Sequence, residues 1–368
     1  MKVTFIIGTR PELIKVAPVI IEIAKEKIDF DVVNTAQHKE LLDPYWDSFG
    51  IKPTHVLDVM VKGQNLASLS ARALFQIQEY IDNVKTKPTI ILAQGDTTTV
   101  MASAMVSFYN NIKFAHLEAG LRSFDYRNPF PEEFNRKVAS ITADYHFCPT
   151  ELSKQNLLNE GIVESKIHVV GNTVVDSLGI ILKNGTFTNS DFLNSKLNLV
   201  KNYAKTVLIT CHRRENQGDN LLQIIDGVLR LAKGEEETIF IWTMHPNPGV
   251  KEVIQNSLLI KQENVLFVEP LDYLDLLKIL KLSFCAITDS GGIQEEAPSF
   301  ETPVLVMRDT TERPEAVHAG MAFLTGANSD NIVNSYENLK NNNIKFSSNP
   351  YGDGFSSERV VKIITNIL

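Results

Sequence analysis

Short apolar runs alternate along this chain with longer segments whose apolar residues recur every three to four positions. Residues 2–9 read KVTFIIGT, a nearly continuous apolar run typical of a strand that is buried on both faces. Residues 12–27 then carry Leu13, Val16 and Ile20 at helical spacing. This strand and this helix predict a β–α unit at the start of the chain.

The same alternation continues in two blocks. Further strands are predicted at 89–96, 113–120, 145–150 and 167–172, and in a second block at 206–212, 238–245, 264–270, 284–290 and 303–309. Between the blocks, residues 184–202 become rich in Asn, Ser, Thr and Lys, so we place the link between two domains near the start of that segment. Alternating strands and helices with near-continuous apolar strands predict an α/β protein with two doubly wound parallel sheets.

The length of the chain agrees with a division into two domains, and the last residues predict one more helix. A chain of 368 residues is long for one core, because single cores stop growing at roughly 250 to 300 residues. The tail turns at Gly352 and Gly354 and then shows apolar residues at helical spacing, which predicts a final helix.

Charge and cysteine usage exclude several classes of protein. The net charge of −8 argues against a general nucleic-acid or membrane-surface binder, since phosphate-bearing partners would be repelled at long range. Cys148, Cys211 and Cys285 include no CxxC pair and fit neither a disulfide framework nor a zinc pattern. The first apolar run is too short for a signal sequence or a membrane span. These features predict a soluble, cytoplasmic protein.

Common cofactor motifs are missing as well. No GxGxxG follows any predicted strand, which weakens an oxidoreductase reading, and no lysine-containing phosphate-binding loop of the GxxxxGK[ST] type occurs. The eight histidines show no HExxH or comparable ligand spacing. We therefore expect neither a dinucleotide cofactor nor a metal.

Polar residues collect where the predicted strands end, which is the edge at which parallel sheets bind ligands. In the first half these residues lie at 8–10, 95–97 and 118–122, and in the second half at 211–215, 245, 290–292 and 308–309.

The segment TDSGGIQEEAP (288–298) suggests a nucleotide-binding turn. Ser290 suits a helix N-cap, and glycines let backbone amides approach a phosphate. An ordinary strand-to-helix turn explains the glycines equally simply, but nearby arginines favour a diphosphate because guanidinium groups make planar contacts to it. Glu295 and Glu296, one turn later, would then reach a ribose or sugar hydroxyl, although acidic residues also favour early helical turns.

The first half offers carboxylates at the ends of its strands. Asp96 could simply cap the following helix, and Glu132 could act on a helix dipole, whereas Glu118 precedes a turn with no clear helix start. Cys211 and His212 are neighbours on a predicted strand and point to opposite faces, so Cys211 is interpreted as buried packing.

Ten ordered blocks closely resemble one family, the non-hydrolysing UDP-N-acetylglucosamine 2-epimerases. They are GTRPELIKVAPV (8–19), TAQH (35–38), QGDTTT (94–99), HLEAGLRS (116–123), PFPEEFNR (129–136), GNTVVD (171–176), CHRREN (211–216), TDSGGIQEEAP (288–298), RDTTERPEA (308–316) and NPYGDG (349–354).

The resemblance implies two Rossmann-like domains facing a cleft, as in glycosyltransferases of the GT-B type. The expected domains are 1–172, completed by a C-terminal helix 355–368, and 173–354, which binds UDP. It further implies a homodimer that interconverts UDP-GlcNAc and UDP-ManNAc through elimination of UDP to a 2-acetamidoglucal, supplying ManNAc units for cell-surface polysaccharide. The alternative reading is a GT-B-type glycosyltransferase that uses a UDP-sugar donor.

Roles are implied position by position. The implied catalytic residues are Asp96, Glu118, Glu132 and His212. The implied substrate-binding residues are Arg10, Lys15, Arg213, Ser290, Gly291, Gly292, Glu296 and Arg313. Gln37, Gln64 and His245 match a second UDP-GlcNAc site that activates several bacterial members.

Overall fold

The computed structural model describes residues 2–37, 39–61, 63–184, 196, 198–245, 247–342, 346 and 348–366. The chain separates into two compact units, Met1–Asn184 with Tyr351–Leu368, and Gly185–Pro350. The linking segment that the sequence places near 184–202 falls largely outside the described residues. The division into domains 1–172 with 355–368, and 173–354, stays a prediction.

The first unit is built on a parallel sheet. Its strands are β1 (Lys2–Ile7), β2 (Asp29–Asn34), β3 (His55–Val56), β4 (Ile90–Gln94), β5 (Lys113–Leu117), β6 (Tyr145–Cys148) and β7 (Ile167–Val169). Its helices up to this point are α1 (Arg10–Lys25), α2 (Lys39–Ser48), α3 (Leu66–Asn83), α4 (Thr98–Tyr109), α5 (Glu132–Thr142), α6 (Glu151–Asn159) and α7 (Thr173–Asn184). The strand order is β3-β2-β1-β4-β5-β6-β7.

The second unit repeats this plan. Its strands are β8 (Lys205–Thr210), β9 (Thr238–Thr243), β10 (Val265–Val268), β11 (Cys285–Thr288), β12 (Val304–Val306) and β13 (Ala322–Leu324). Its helices are α8 (Asp219–Gly234), α9 (Pro248–Gln255), α10 (Tyr273–Leu282), α11 (Gly291–Glu296), α12 (Pro314–His318) and α13 (Ser329–Asn341). The strand order is β10-β9-β8-β11-β12-β13.

A last helix, α14 (Ser356–Asn366), belongs to the first unit. The carboxylate of Asp176 on α7 accepts hydrogen bonds from the backbone N–H groups of Ser356 and Ser357 and from the Ser357 hydroxyl at 2.6 Å. These bonds satisfy donors at the start of α14 that have no partner within the helix. The final helix predicted from the sequence is therefore confirmed.

Both sheets place the residues of interest in the same way. Strand order reverses direction between β1 and β4 in the first unit and between β8 and β11 in the second, and ligands bind outside such switch points in doubly wound sheets. Every strand pairing is parallel in the described residues. The predicted fold class is confirmed, while β2, β3 and β13 are strands that the sequence reasoning did not identify. Two of them, β3 and β13, are short, which leaves little periodicity to detect.

Apolar side chains fill the space between sheet and helices in each unit. Cys148, Cys211 and Cys285 are all free and buried, which confirms the interpretation of Cys211 as packing. None of the described helices is long and apolar enough to cross a membrane.

Candidate active site

Glu118 follows the last residue of β5 and has a left-handed backbone, with φ at +66°. Residues with a Cβ seldom adopt this conformation, and it concentrates at functional sites. Its carboxylate lies 2.5 Å from Nζ of Lys15 on α1 and also accepts a hydrogen bond from the Gln94 amide at the end of β4. The side chain is largely buried, so the ammonium group stabilises its charge with little competition from water.

Asp96 lies beyond the end of β4, the strand next to β5. It does not cap α4, because Thr97 occupies the N-cap position and accepts from the Val100 N–H. Its carboxylate instead accepts hydrogen bonds at 2.6 and 3.0 Å from the guanidinium of Arg136 on α5. The Asn135 amide donates to its backbone carbonyl at 2.8 Å. Asp96 is thus held at both its side chain and its backbone.

Glu132 and Glu133 begin α5 and have different surroundings. Glu133 is wholly buried, pairs with Arg136 at 2.9 Å, and accepts hydrogen bonds from the N–H groups of Ser123 and Phe124. It therefore anchors the loop that precedes the helix. Glu132, the predicted catalytic residue, lies in the first turn of α5 and is only partly buried. Its proximity to the helix start agrees equally with the dipole interpretation.

The start of α1 carries the two predicted cations of this unit. Cζ of Arg10 lies 5.6 Å from the centre of the Tyr45 ring, a cation–π contact. Glu12 sits between Arg10 and Lys15 and accepts from the N–H groups of Gly8 and Thr9 at 2.5 and 3.1 Å, which forms a capping box. Burial raises the pKa of Glu12 to about 7, although these hydrogen bonds lower it.

In the second unit, Asp289 organises the loop that follows β8. This wholly buried carboxylate accepts hydrogen bonds from the backbone N–H groups of His212 and Arg213 at 2.9 to 3.1 Å and from the Asn216 amide at 2.9 Å. Nε of Arg213 in turn donates to the Asp289 carbonyl at 3.1 Å. The ends of β8 and β11 are joined in this way.

Three guanidinium groups share one carboxylate. Oε1 of Glu312 lies 2.7 Å from Nη1 of Arg313 and 3.5 Å from Nη2 of Arg213, and its Oε2 lies 2.7 Å from Nη1 of Arg308. Burial alone would raise the pKa of Glu312, but the guanidinium groups hold it well below its usual range. The cluster brings three guanidinium groups together, and the planar geometry of these groups suits them to contacts with a polyanion.

The glycine pair lies against this cluster. Nε of Arg313 donates to Glu295 at 2.5 Å, which aligns the guanidinium along the start of α11. A Cβ at Gly291 would lie 2.6 Å from Nη1 of Arg313, so any larger residue would displace the guanidinium. Glycine at this position therefore leaves room for the Arg313 guanidinium beside the start of α11.

Ser290, Gly292 and Glu296 complete the predicted UDP-binding set. Ser290 is the N-cap residue of α11, but its side chain makes no capping hydrogen bond, in contrast to the expected role. A Cβ at Gly292 would be 3.8 Å from the Ser290 hydroxyl oxygen and 4.0 Å from Oε1 of Glu296, so these residues lie together. Glu296 is buried and accepts a hydrogen bond from the Tyr273 hydroxyl at 2.9 Å.

His212 and His245 are neighbours, with ring centres 5.8 Å apart. Loss of surrounding water lowers the pKa of His212, and His245 lowers it further, while Asp289 raises it. The imidazolium expected near a diphosphate is thus disfavoured before an anion binds. Nδ1 of His245 accepts from the Asn247 N–H at 3.1 Å.

The two remaining candidates for a second site are glutamines of the first unit. Gln37 accepts a hydrogen bond from the Thr99 hydroxyl at 3.0 Å. Gln64 donates to the Val59 carbonyl at 3.2 Å, and none of its hydrogen bonds in the described part of the chain joins it to Gln37. Their assignment to a second site stays a prediction.

Sequence reasoning did not identify the residues that hold the candidates in place. Arg136, Asp289 and Glu312 each lie within a quoted block, but each contacts a residue far away in sequence. Arg136 is 40 residues from Asp96, Asp289 is 77 residues from His212, and Glu312 is 99 residues from Arg213. The available signal was a charged residue inside a block rich in site candidates. Which residue each of them contacts can be known only from the folded structure.

Comparison with known proteins places this geometry in context. The family model described as UDP-N-acetylglucosamine 2-epimerase matches residues 22–365. A UDP-N-acetylglucosamine 2-epimerase from Yersinia pestis is 40% identical over 378 residues, covering 100% of this chain and 99% of that protein.

Solved structures agree. The UDP-GlcNAc 2-epimerase from Neisseria meningitidis bound to UDP-GlcNAc has a TM-score of 0.89 at 40% identity, with 100% of both chains covered. The Methanocaldococcus jannaschii UDP-GlcNAc 2-epimerase in complex with UDP-GlcNAc and UDP has a TM-score of 0.82 at 34% identity, again with 100% of both chains covered.

Proposed function

Because this chain belongs to the UDP-N-acetylglucosamine 2-epimerase family, we propose that it interconverts UDP-GlcNAc and UDP-ManNAc by eliminating UDP and adding it back. The prediction of an epimerase, an isomerase, is confirmed by family membership, and the alternative of a glycosyltransferase is not favoured. The observation that carries the proposed reaction is the pair of carboxylates, Asp96 and Glu118, that end neighbouring strands, each held by its own cation.

The chemistry explains why such carboxylates are needed. The hydrogen on C2 of the sugar is not adjacent to a carbonyl, so its removal requires that the C1–O bond to UDP breaks as well. The C2 proton leaves, UDP departs with the electron pair of the C1–O bond, and a 2-acetamidoglucal remains. Protonation at C2 on the opposite face and return of UDP to C1 give the epimer. Acid and base groups must therefore serve both faces of the sugar.

We assign the proton transfers to the first unit. Glu118 suits a base, because Lys15 and Gln94 stabilise its charged form. Asp96 and Glu132 are the remaining candidates for protonating the other face. Arg10 and Lys15 would contact the nucleotide sugar.

We assign the leaving group to the second unit. Arg313 and Arg213, which share Glu312, would bind the diphosphate, with Gly291 and Gly292 allowing close approach and Ser290 offering its hydroxyl. Glu296 would accept from a ribose hydroxyl. His212 would become protonated once the diphosphate is bound, because an adjacent anion raises the pKa of an imidazole.

Regulation by a second UDP-GlcNAc through Gln37, Gln64 and His245 is also proposed. Its test is turnover of UDP-ManNAc alone. Rapid conversion without added UDP-GlcNAc would contradict it.

A homodimer is supported by exposed apolar side chains on α3, α4 and α5. Phe75, Phe108, Tyr109 and Ile141 are each at least 66% exposed on these neighbouring helices. Exposed apolar patches of this kind mark association surfaces. Light scattering should give twice the monomer mass, and Ile141→Glu should give a monomer. A wild-type monomer would contradict the proposal.

We further propose that the protein acts in the cytoplasm and supplies ManNAc units for cell-surface polysaccharide.

Turnover of UDP-GlcNAc in D2O without an acceptor tests the reaction itself. The proposed mechanism predicts deuterium at C2 of both sugars, because the proton returned to C2 comes from a solvent-exchanged acid. Product without deuterium, or transfer of the sugar to an added acceptor, would contradict the mechanism.

A further inference from the structure

The ends of β4 and β5 are bound to each other twice, in opposite directions. The Gln94 amide, on the last residue of β4, donates to the carboxylate of Glu118, just beyond β5. Nε2 of His116 on β5 lies 2.7 Å from the carbonyl oxygen of Gly95, just beyond β4. Each strand therefore holds the residue that follows its neighbour. These two bonds form a cross-brace between the segments that carry Asp96 and Glu118.

The chemistry of the partner determines the tautomer of His116. A carbonyl oxygen only accepts, so Nε2 must carry the proton and donate. Burial lowers the pKa of His116 to about 4, which leaves the ring neutral near pH 7 with a single N–H group. That N–H therefore points at Gly95, whose φ of +89° turns the chain immediately before Asp96.

One ring nitrogen of His116 is buried without a hydrogen-bond partner in the described residues. His116 is wholly buried, and its Nδ1 has no hydrogen-bond partner among the described residues. A buried polar atom without a hydrogen-bond partner destabilises the folded state. The unpaired Nδ1 thus destabilises the folded protein. The only compensating hydrogen bond of the ring in the described residues is the one from Nε2 to the turn before Asp96.

His146 offers a matched comparison within the same sheet. It is the register partner of His116 on β6 and is equally buried, yet neither of its ring nitrogens has a hydrogen-bond partner in the described residues. The two histidines thus share burial and sheet position. Only His116 is bonded to a segment that carries a candidate acid or base.

We propose that His116 is a positioning residue, whose N–H holds the Gly95 carbonyl and so sets the direction of the Asp96 carboxylate relative to Glu118. This inference rests on the proposed function. A shift of about 1 Å in a reacting group can cost on the order of 100-fold in rate, so the effect should appear in proton transfer.

Three variants test this role. His116→Phe keeps an aromatic ring and removes the N–H, and we expect kcat to fall on the order of 100-fold with little change in KM. His116→Gln restores a donor at a similar position and should recover most of that loss. His146→Phe, the matched control, should keep kcat near that of the wild type even if the melting temperature falls. Rates would be measured by deuterium incorporation at C2.

Two kinetic outcomes would overturn the role. One is an equal loss of kcat in His116→Phe and His146→Phe, which would indicate a general packing effect. The other is a His116→Gln variant as slow as His116→Phe, since the donor would then be irrelevant.

Nuclear magnetic resonance of ¹⁵N-labelled histidine in the wild-type protein decides the hydrogen bond without any assay. A protected Nε2–H on His116 supports the brace even if His116→Phe does not fold, and an Nδ1–H tautomer overturns it. Wild-type protein that leaves UDP-GlcNAc unchanged would overturn the proposed function, and with it the positioning role of His116. The tautomer would still be determined in that case, which separates the two failures.

Discussion

The two units use the same charges in opposite arrangements. In the first unit, the candidate carboxylates Asp96 and Glu118 are each held by a cation, Arg136 or Lys15. In the second unit, Arg213 and Arg313 are held by Glu312, together with Arg308. One unit thus holds carboxylates with cations, as the proposed proton transfers require, and the other holds cations with a carboxylate, as the proposed binding of a diphosphate requires. The same strand order supports either chemistry, because the loops after the strands carry the difference.

The largest expected effect comes from removing an acid in the first unit. Asp96→Asn should lower kcat by roughly 1000-fold, because the amide cannot transfer the proton. Calorimetry should find UDP affinity unchanged, since the residues assigned to UDP belong to the second unit. A variant that loses UDP affinity as strongly as kcat would contradict this division of roles.

Removing the shared carboxylate of the second unit should mainly affect stability. Glu312→Gln removes the carboxylate that all three guanidinium groups share, and breaking such a buried pair costs about 3 kcal/mol of unfolding free energy. Arg313 keeps its contact with Glu295, and Arg308 keeps its contact with Glu215. Bound UDP should offset part of the loss, so its stabilising effect on the melting temperature should exceed that in the wild type. Glu215→Gln is the control, because Glu215 contacts Arg308 at 3.4 Å but is more exposed. Equal destabilisation by both changes would contradict the central role of Glu312.

A milder change separates charge from geometry at the same cluster. Arg313→Lys keeps the charge but loses planar contacts, and we expect UDP affinity to weaken roughly tenfold, or about 1.4 kcal/mol. The rate of proton transfer at saturating substrate should change less than affinity. Unchanged UDP affinity by calorimetry would contradict the assignment of Arg313 to the diphosphate.

The smallest expected effect concerns Glu12, whose pKa of about 7 exceeds its ordinary value of 4.5. Between these two pKa values the folded protein binds more protons than the unfolded chain. The free energy of unfolding therefore falls as the pH rises from about 4.5 to about 7. Between pH 6 and pH 8 the wild type should lose about 1 kcal/mol relative to Glu12→Gln. Urea unfolding at both pH values measures the difference. Parallel pH profiles for the two proteins would show that Glu12 is not the titrating group.

Local pattern was sufficient for most strands of the two sheets, although it did not identify β2, β3 and β13. It was not sufficient for the interactions within each site. Strands such as β1 and β8 are buried on both faces, so their apolar runs identify them without knowledge of the fold. Asp96 and Glu118 were recognisable because parallel strands bring their carboxyl ends to one edge. That Asp96 contacts Arg136 and does not cap α4 depends on how α5 packs against α4 and β5. Periodicity contains no such information.

The bonds from Asp176 to the start of α14 join two segments of the first unit that are far apart in sequence. Ribosomes release a chain in sequence order, so the last helix of the first unit emerges only after the whole second unit has been made. The first unit must wait, with the face that α14 covers still open, and we expect this exposed surface to be where chaperones act on the nascent protein.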